Sequence, residues 1–143
     1  MVRAEAPVKN RSAPPCTVIP VVSYPDVAAA VTWLEAAFGF RVRLKIANHR
    51  TQMWFGSACV IVGEQGENKQ WATRSSTLLR VADVAALCEQ AQSHGARLLF
   101  PPKTHMYGER QATLEDFAGH IWTLTQTVED VDPAAWGGEA VEL

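Results

Sequence analysis

Apolar positions along the chain fall into short β-branched runs and two stretches of helical spacing, and the order of these patterns occurs twice. Thr17-Val18-Ile19-Pro20-Val21-Val22 is an apolar run ending at Tyr24-Pro25-Asp26, which predicts a first strand. Asp26 stands where a helix cap is wanted. Val27, Ala30, Val31, Leu34 and Phe38 then recur at three-to-four spacing, and Gly39 supplies a left-handed stop, so this segment predicts an amphipathic helix. Three β-like stretches follow, Phe40 to Ile46, Arg50 to Phe55 and Ala58 to Val62, divided by Asn48-His49 and Gly56-Ser57. The first half therefore reads βαβββ.

After a polar connection the pattern returns. Ser76 to Val81 predicts a strand, and Asp83 opens a helix that runs toward His94 and stops at Gly95. Arg97 to Phe100, Glu109 to Leu114 and His120 to Thr125 predict three more strands, the first ending at Pro101-Pro102 because proline gives no N–H to a ladder. Pro25-Asp26-Val27-Ala28-Ala29 recurs as Ala82-Asp83-Val84-Ala85-Ala86. The expected domain covers residues 16–126, with modules at 16–63 and 75–126. Residues 1–15 lack periodicity and are expected to be a disordered tail, and 127–143 an acidic C-terminal tail. Each module leaves one sheet face that it cannot cover alone. The fold class expected is α+β, with two βαβββ modules pairing into a curved eight-stranded sheet around a cavity. That cavity is the expected site. Pairing within one chain and exchange between chains bury the same surfaces, and both remain open.

Composition narrows the function. The 143 residues carry 13 Lys+Arg against 15 Asp+Glu, and a formal charge of −2 gives no broad basic field for a nucleic-acid backbone. No run approaches the roughly 18 consecutive apolar residues of a membrane span, and Met1 to Asn10 lacks the apolar centre of a secretory signal, so a cytoplasmic protein is expected. Three cysteines, Cys16, Cys59 and Cys88, without Cys-x-x-Cys spacing predict free thiols. Gly-rich phosphate loops, Ser-His-Asp ordering and nucleophile elbows are missing from the sequence.

The paired modules, together with Tyr24-Pro25-Asp26-Val27-Ala28-Ala29-Ala30 leading to Ala37-Phe38-Gly39-Phe40, resemble the glyoxalase/bleomycin-resistance/extradiol-dioxygenase (vicinal oxygen chelate) superfamily. Tyr107-Gly108-Glu109-Arg110-Gln111 and Glu115-Asp116-Phe117-Ala118-Gly119-His120-Ile121-Trp122-Thr123 are similar to the ending of its glyoxalase-like or bleomycin-resistance-like branch. The resemblance covers about residues 17–126. It implies the fold, and it implies that members doing metal chemistry hold a divalent ion with His or Glu from the first and last strands of each module. The matching positions here are Ile19, Ile61, Ser76 and Thr123, which supply no nitrogen, sulfur or carboxylate ligand. No metal and no cofactor are expected.

Several side chains compete for roles in the expected cavity. Glu109 and Arg110 point to opposite faces of one strand, and Arg110 shares its face with Ala112 and Leu114, the more apolar set. Arg110 is therefore expected in the cavity, holding an anionic or carbonyl ligand, with a structural salt bridge as the equal alternative. Trp54 is favoured over Met53 as the inward residue of its strand, and Trp122, next to Thr123, is expected in the helix layer. Tyr107 and His105 lie in a loop expected near the cavity mouth, and Trp71 is read equally as a pocket lip or an interface residue. Glu115 and Asp116 abut a turn glycine and are read as turn-forming. The ligand-binding set is thus Trp54, Ser76, Tyr107, Arg110 and Thr123, with no catalytic residue. The function expected is a metal-free homodimer that encloses a partly aromatic small molecule, as in drug or antibiotic sequestration. The alternative is a metal-dependent lyase, isomerase or dioxygenase with displaced ligands.

Overall fold

The computed structural model describes residues 12, 14–16, 18–65 and 76–139. They form two compact units, divided after residue 74. In the first unit the order is β1 (Val21–Tyr24), α1 (Val27–Phe38), β2 (Arg41–Ile46), β3 (Arg50–Phe55) and β4 (Ala58–Glu64). The sheet runs β1-β4-β3-β2, with β1 parallel to β4 and the other pairs antiparallel. Strand β1 begins later than the apolar run suggests. Pro20 has no N–H to give, and its contribution is a carbonyl that accepts the Ile61 N–H at 2.9 Å.

Asp26 caps α1 by accepting the Ala29 N–H at 3.0 Å, and Gly39 ends it at φ 80°. The helix buries Val27, Ala30, Val31, Leu34, Ala37 and Phe38. Val22, Tyr24, Met53, Val60 and Val62 form the sheet side of this core. The other face of the sheet carries Val21, Ser23, Gln52, Trp54, Cys59 and Ile61, as the pairs Val21↔Ile61, Gln52↔Ile61 and Trp54↔Cys59 require. Part of the segment expected as a tail lies on this face. Pro14 is buried, the Ser12 carbonyl accepts from Gln52 Nε2 at 2.9 Å, and Cys16 Sγ sits 3.8 Å from the Ser57 carbonyl oxygen.

The second unit repeats the plan with β5 (Ser76–Arg80), α2 (Val84–Ser93), β6 (Arg97–Thr104), β7 (Glu109–Glu115) and β8 (Ile121–Thr127), in sheet order β5-β8-β7-β6. Asp83 caps α2 through the Ala86 N–H at 3.1 Å, and Gln126 Oε1 accepts the Val84 N–H at 3.0 Å. Val84, Cys88 and Ala91 pack over Leu79, Ala112, Leu114, Trp122 and Leu124. Strand β6 passes through Pro101-Pro102 instead of ending there. The register shifts between Phe100 and Lys103, so the prolines occupy an irregularity on an edge strand where no ladder N–H is needed.

The α+β class and both βαβββ modules follow the repeat in the sequence, and the ladders make two four-stranded sheets rather than one of eight. Beyond β8 a 3-10 turn spans Pro133–Trp136, within the segment expected as an acidic tail. Gly108 holds the chain there. Its φ is 84°, and a Cβ at this position would collide with the Glu129 carbonyl oxygen. Among the described residues no helix is long and apolar enough to cross a membrane.

Candidate functional site

The face of the second sheet turned away from α2 is built by alternation. Ala112 pairs with Leu124 and Leu114 with Trp122, all buried beneath the helix. Their neighbours must therefore face the other way: Glu109, Gln111, Thr113 and Glu115 on β7, with Thr123, Thr125 and Thr127 opposite them on β8. Arg80 of β5 pairs with Thr125 and joins the same face.

Several of these polar groups, with Tyr107, form one connected chain of hydrogen bonds. Tyr107 Oη donates to Gln111 Oε1 at 3.0 Å, Gln111 Nε2 donates to Thr125 Oγ1 at 3.1 Å, and Thr125 Oγ1 donates to Glu109 Oε1 at 2.8 Å. Arg80 Nη1 closes the chain on the same carboxylate oxygen at 2.8 Å and also donates to Thr127. Thr113 and Thr123 share a separate bond at 2.9 Å. Thr125, at 1% exposure, is the buried centre of the network. The turn before β7 aims Tyr107 at this chain. His105 stacks on the Tyr107 ring at 5.0 Å with 2° between planes, and Trp136 lies against it at 5.5 Å.

Beside the network lies a groove of about 380 Å³ lined by Phe100, Pro101, Lys103, His105, Gln111 and Thr113. It has one strongly apolar wall. Phe100 is 66% exposed, an unusual state for a phenylalanine on a strand. Burial pushes the Glu109 carboxyl up, but hydrogen bonds from Thr127, Thr125 and Arg80, with the charge of Arg80, outweigh it and hold Glu109 below the ordinary carboxylate value. A carboxylate so stabilised is a weaker proton acceptor than a free one. Burial raises the thiol pKa of Cys59, helped by nearby Cys16, and burial also raises that of Cys88. Neither is an activated nucleophile.

A metal fits poorly. Ile61 and Thr123 do stand on the helix-free faces of their sheets, but Ile61 offers hydrocarbon and the Thr123 hydroxyl is already bonded to Thr113. Ile19 and Ser76 add no nitrogen, sulfur or carboxylate donor, and among the described residues no three His, Cys, Asp or Glu side chains come together.

Of the ligand-binding set read from the sequence, Tyr107, Thr123 and the exposed Ser76 lie on or beside this face. Trp54 belongs to the first unit, on its helix-free face, with the Arg43 guanidinium 5.7 Å from its ring centroid. Arg110 requires correction. It pairs with Gln126, whose amide oxygen caps α2, and alternates with buried Ala112 and Leu114, so it is on the helix side of β7. The apolar set marks the face that the helix covers, and the polar set Glu109, Gln111 and Thr113 is the open one. The pairing Thr113↔Thr123 carries that information, because Thr123 alternates with a tryptophan in the helix layer. Phe100, Lys103, Gln111 and the Arg80–Glu109 pair escaped the sequence reading. Asp116 forms its turn as expected, with Oδ1 accepting from the Ala118 and His120 N–H groups and Oδ2 from Trp122 Nε1. Trp71 lies outside the described residues.

Paired βαβββ modules, each with a helix on one face and a free face on the other, define the class to which this protein's fold belongs. The chain is a member of the Glyoxalase/Bleomycin resistance protein/Dioxygenase superfamily, whose family model matches residues 18–124. Among solved structures it is similar to TioX from Micromonospora sp. ML1, with 27% identity over 76% of this chain and 96% of that one and a TM-score of 0.65. A glyoxalase/bleomycin resistance protein/dioxygenase family enzyme from Burkholderia phytofirmans PsJN matches with 17% identity over 76% and 96% of the two chains and a TM-score of 0.66. Lactoylglutathione lyase from Agrobacterium tumefaciens matches with 13% identity over 87% and 98% and a TM-score of 0.61. The last two likenesses concern the fold alone. No curated protein matches the chain.

Proposed function

We propose that this protein is a metal-free small-molecule-binding protein of the superfamily, holding a partly aromatic ligand in the groove of the second sheet without a chemical step. Sequestration of a drug or antibiotic is the role this reading favours. The observation that carries it is the groove itself: an exposed Phe100 beside Gln111 and Thr113, with the Glu109 carboxylate of the same face already accepting from Thr125 and Arg80. Apolar burial against the ring supplies affinity, and stacking adds about 0.5 to 1.5 kcal/mol per aromatic pair beyond area. The few polar groups fix orientation.

The protein acts in the cytoplasm as a homodimer in this proposal. Val21 and Leu78, 54% and 58% exposed, stand on the edge strands β1 and β5, and such residues favour coverage by a second surface.

A native mass spectrum of untagged protein tests the reading in one measurement. The expected result is a metal-free dimer, with an added organic mass where ligand survives purification. One divalent ion per subunit overturns it and puts a metal-dependent enzyme with displaced ligands in its place.

A further inference from the structure

The direction of the hydrogen-bond chain on the second sheet decides which ligand atoms the groove can read. Glu109 is ionised and can only accept, so Thr125 must donate to it and has its lone pairs left for Gln111. Gln111 therefore turns its NH2 toward Thr125 and its carbonyl oxygen toward the Tyr107 hydroxyl. That oxygen already accepts the Tyr107 proton, while the second Nε2 proton has no acceptor among the described residues. Thr113 and Thr123, joined by one bond between two hydroxyls, likewise retain one donor proton between them.

The charges in the groove have the same sense. Lys103 and Gln111 are direct cross-strand partners, as are Phe100 and Thr113, which puts the ammonium beside the amide and the aromatic ring beside the hydroxyl. Among the described residues, Lys103 has no ion-pair or hydrogen-bond partner and no acidic side chain lines the groove. Glu109 is neutralised by Arg80.

We infer that the groove selects a planar aromatic acid, its carboxylate held between Lys103 Nζ and Gln111 Nε2 and its ring laid against Phe100. This rests on the groove being the ligand site proposed above, and it names the class of ligand. Glu109 is then a positioning residue: it touches no ligand, and through Thr125 it keeps Gln111 presenting a donor instead of an acceptor.

The test compares two probes of one shape, 2-naphthoate and the neutral 2-naphthylmethanol, titrated against the full chain by calorimetry at neutral pH. The acid is expected to bind about tenfold more tightly, as one charge-assisted hydrogen bond allows. In Lys103→Met that preference disappears while the alcohol binds as before. In Glu109→Gln the preference falls because Gln111 is free to turn its oxygen outward, and alcohol binding again stands, which distinguishes positioning from unfolding. Equal binding of acid and alcohol to the unaltered protein, or a preference that survives Lys103→Met, overturns the ligand class and leaves the groove as the site. Binding of neither probe overturns the groove and the ligand class with it.

Discussion

On the helix-free face of the first sheet, Gln52 Nε2 donates to the Ser12 carbonyl at 2.9 Å and Gln52 Oε1 accepts from Arg43 at 2.5 Å, and Arg43 lies over Trp54. On the second, the position that the register makes equivalent to Gln52 is Thr113, whose side chain among the described residues bonds across to Thr123 and has a groove beside it. Gln52 and Cys59 are 4% and 1% exposed although α1 does not cover them. One topology thus yields one face closed by the chain's own N-terminal segment and one that stays open. A long amide reaches a passing backbone and anchors it, whereas two short hydroxyls bond to each other and reach no backbone segment beyond their sheet.

The largest expected difference between the modules lies in their last turns. Asp116 accepts from two backbone N–H groups and from buried Trp122 Nε1, so Asp116→Ala strands several buried donors and costs about 3 kcal/mol in urea unfolding. Gly56, in the matching turn of the first unit, has φ 58°, and a methyl added there would meet no atom within 4 Å, so Gly56→Ala costs about 1 kcal/mol from backbone strain alone. Equal losses would mean that the two turns are held alike.

Removing residues 1–17 tests the closed face. Cys59 is expected to react with iodoacetamide several-fold faster in the shortened chain, while naphthoate binding to the groove of the second sheet is unchanged. Unaltered Cys59 reactivity would show that the N-terminal segment does not cover the first sheet.

The smallest effect is electrostatic. Because Glu109 is held below its ordinary value, the unfolded chain binds its proton more readily, and the network's contribution is complete above the unfolded value of about 4.3 and lost as pH falls through the lower folded one. Urea midpoints of the protein should fall across that window more steeply than those of Glu109→Gln. The difference stays small because Arg80 is 63% exposed and screened by solvent.

Much of the architecture is legible in local sequence. Asp26 and Gly39 bound α1, Asp83 and Gly95 bracket α2, and β3 runs from Arg50 to Phe55 as its apolar pattern predicts, because caps, periodicity and turn glycines act over a few residues. The strand through Pro101-Pro102 was not legible, since whether a proline is tolerated depends on whether its strand lies at an edge.

Alternation along β7 sorted Glu109, Gln111 and Thr113 from Arg110, Ala112 and Leu114, and that division is a property of the sequence alone. Which set faces the open side was decided by where α2 packs, because a strand pattern is symmetric until one of its faces is covered. The same packing set Gln111 opposite Thr125 and brought Arg80 to Glu109 across 29 residues of chain. Local chemistry specified the elements; only the assembled sheet specified their neighbours, and the site is made of neighbours.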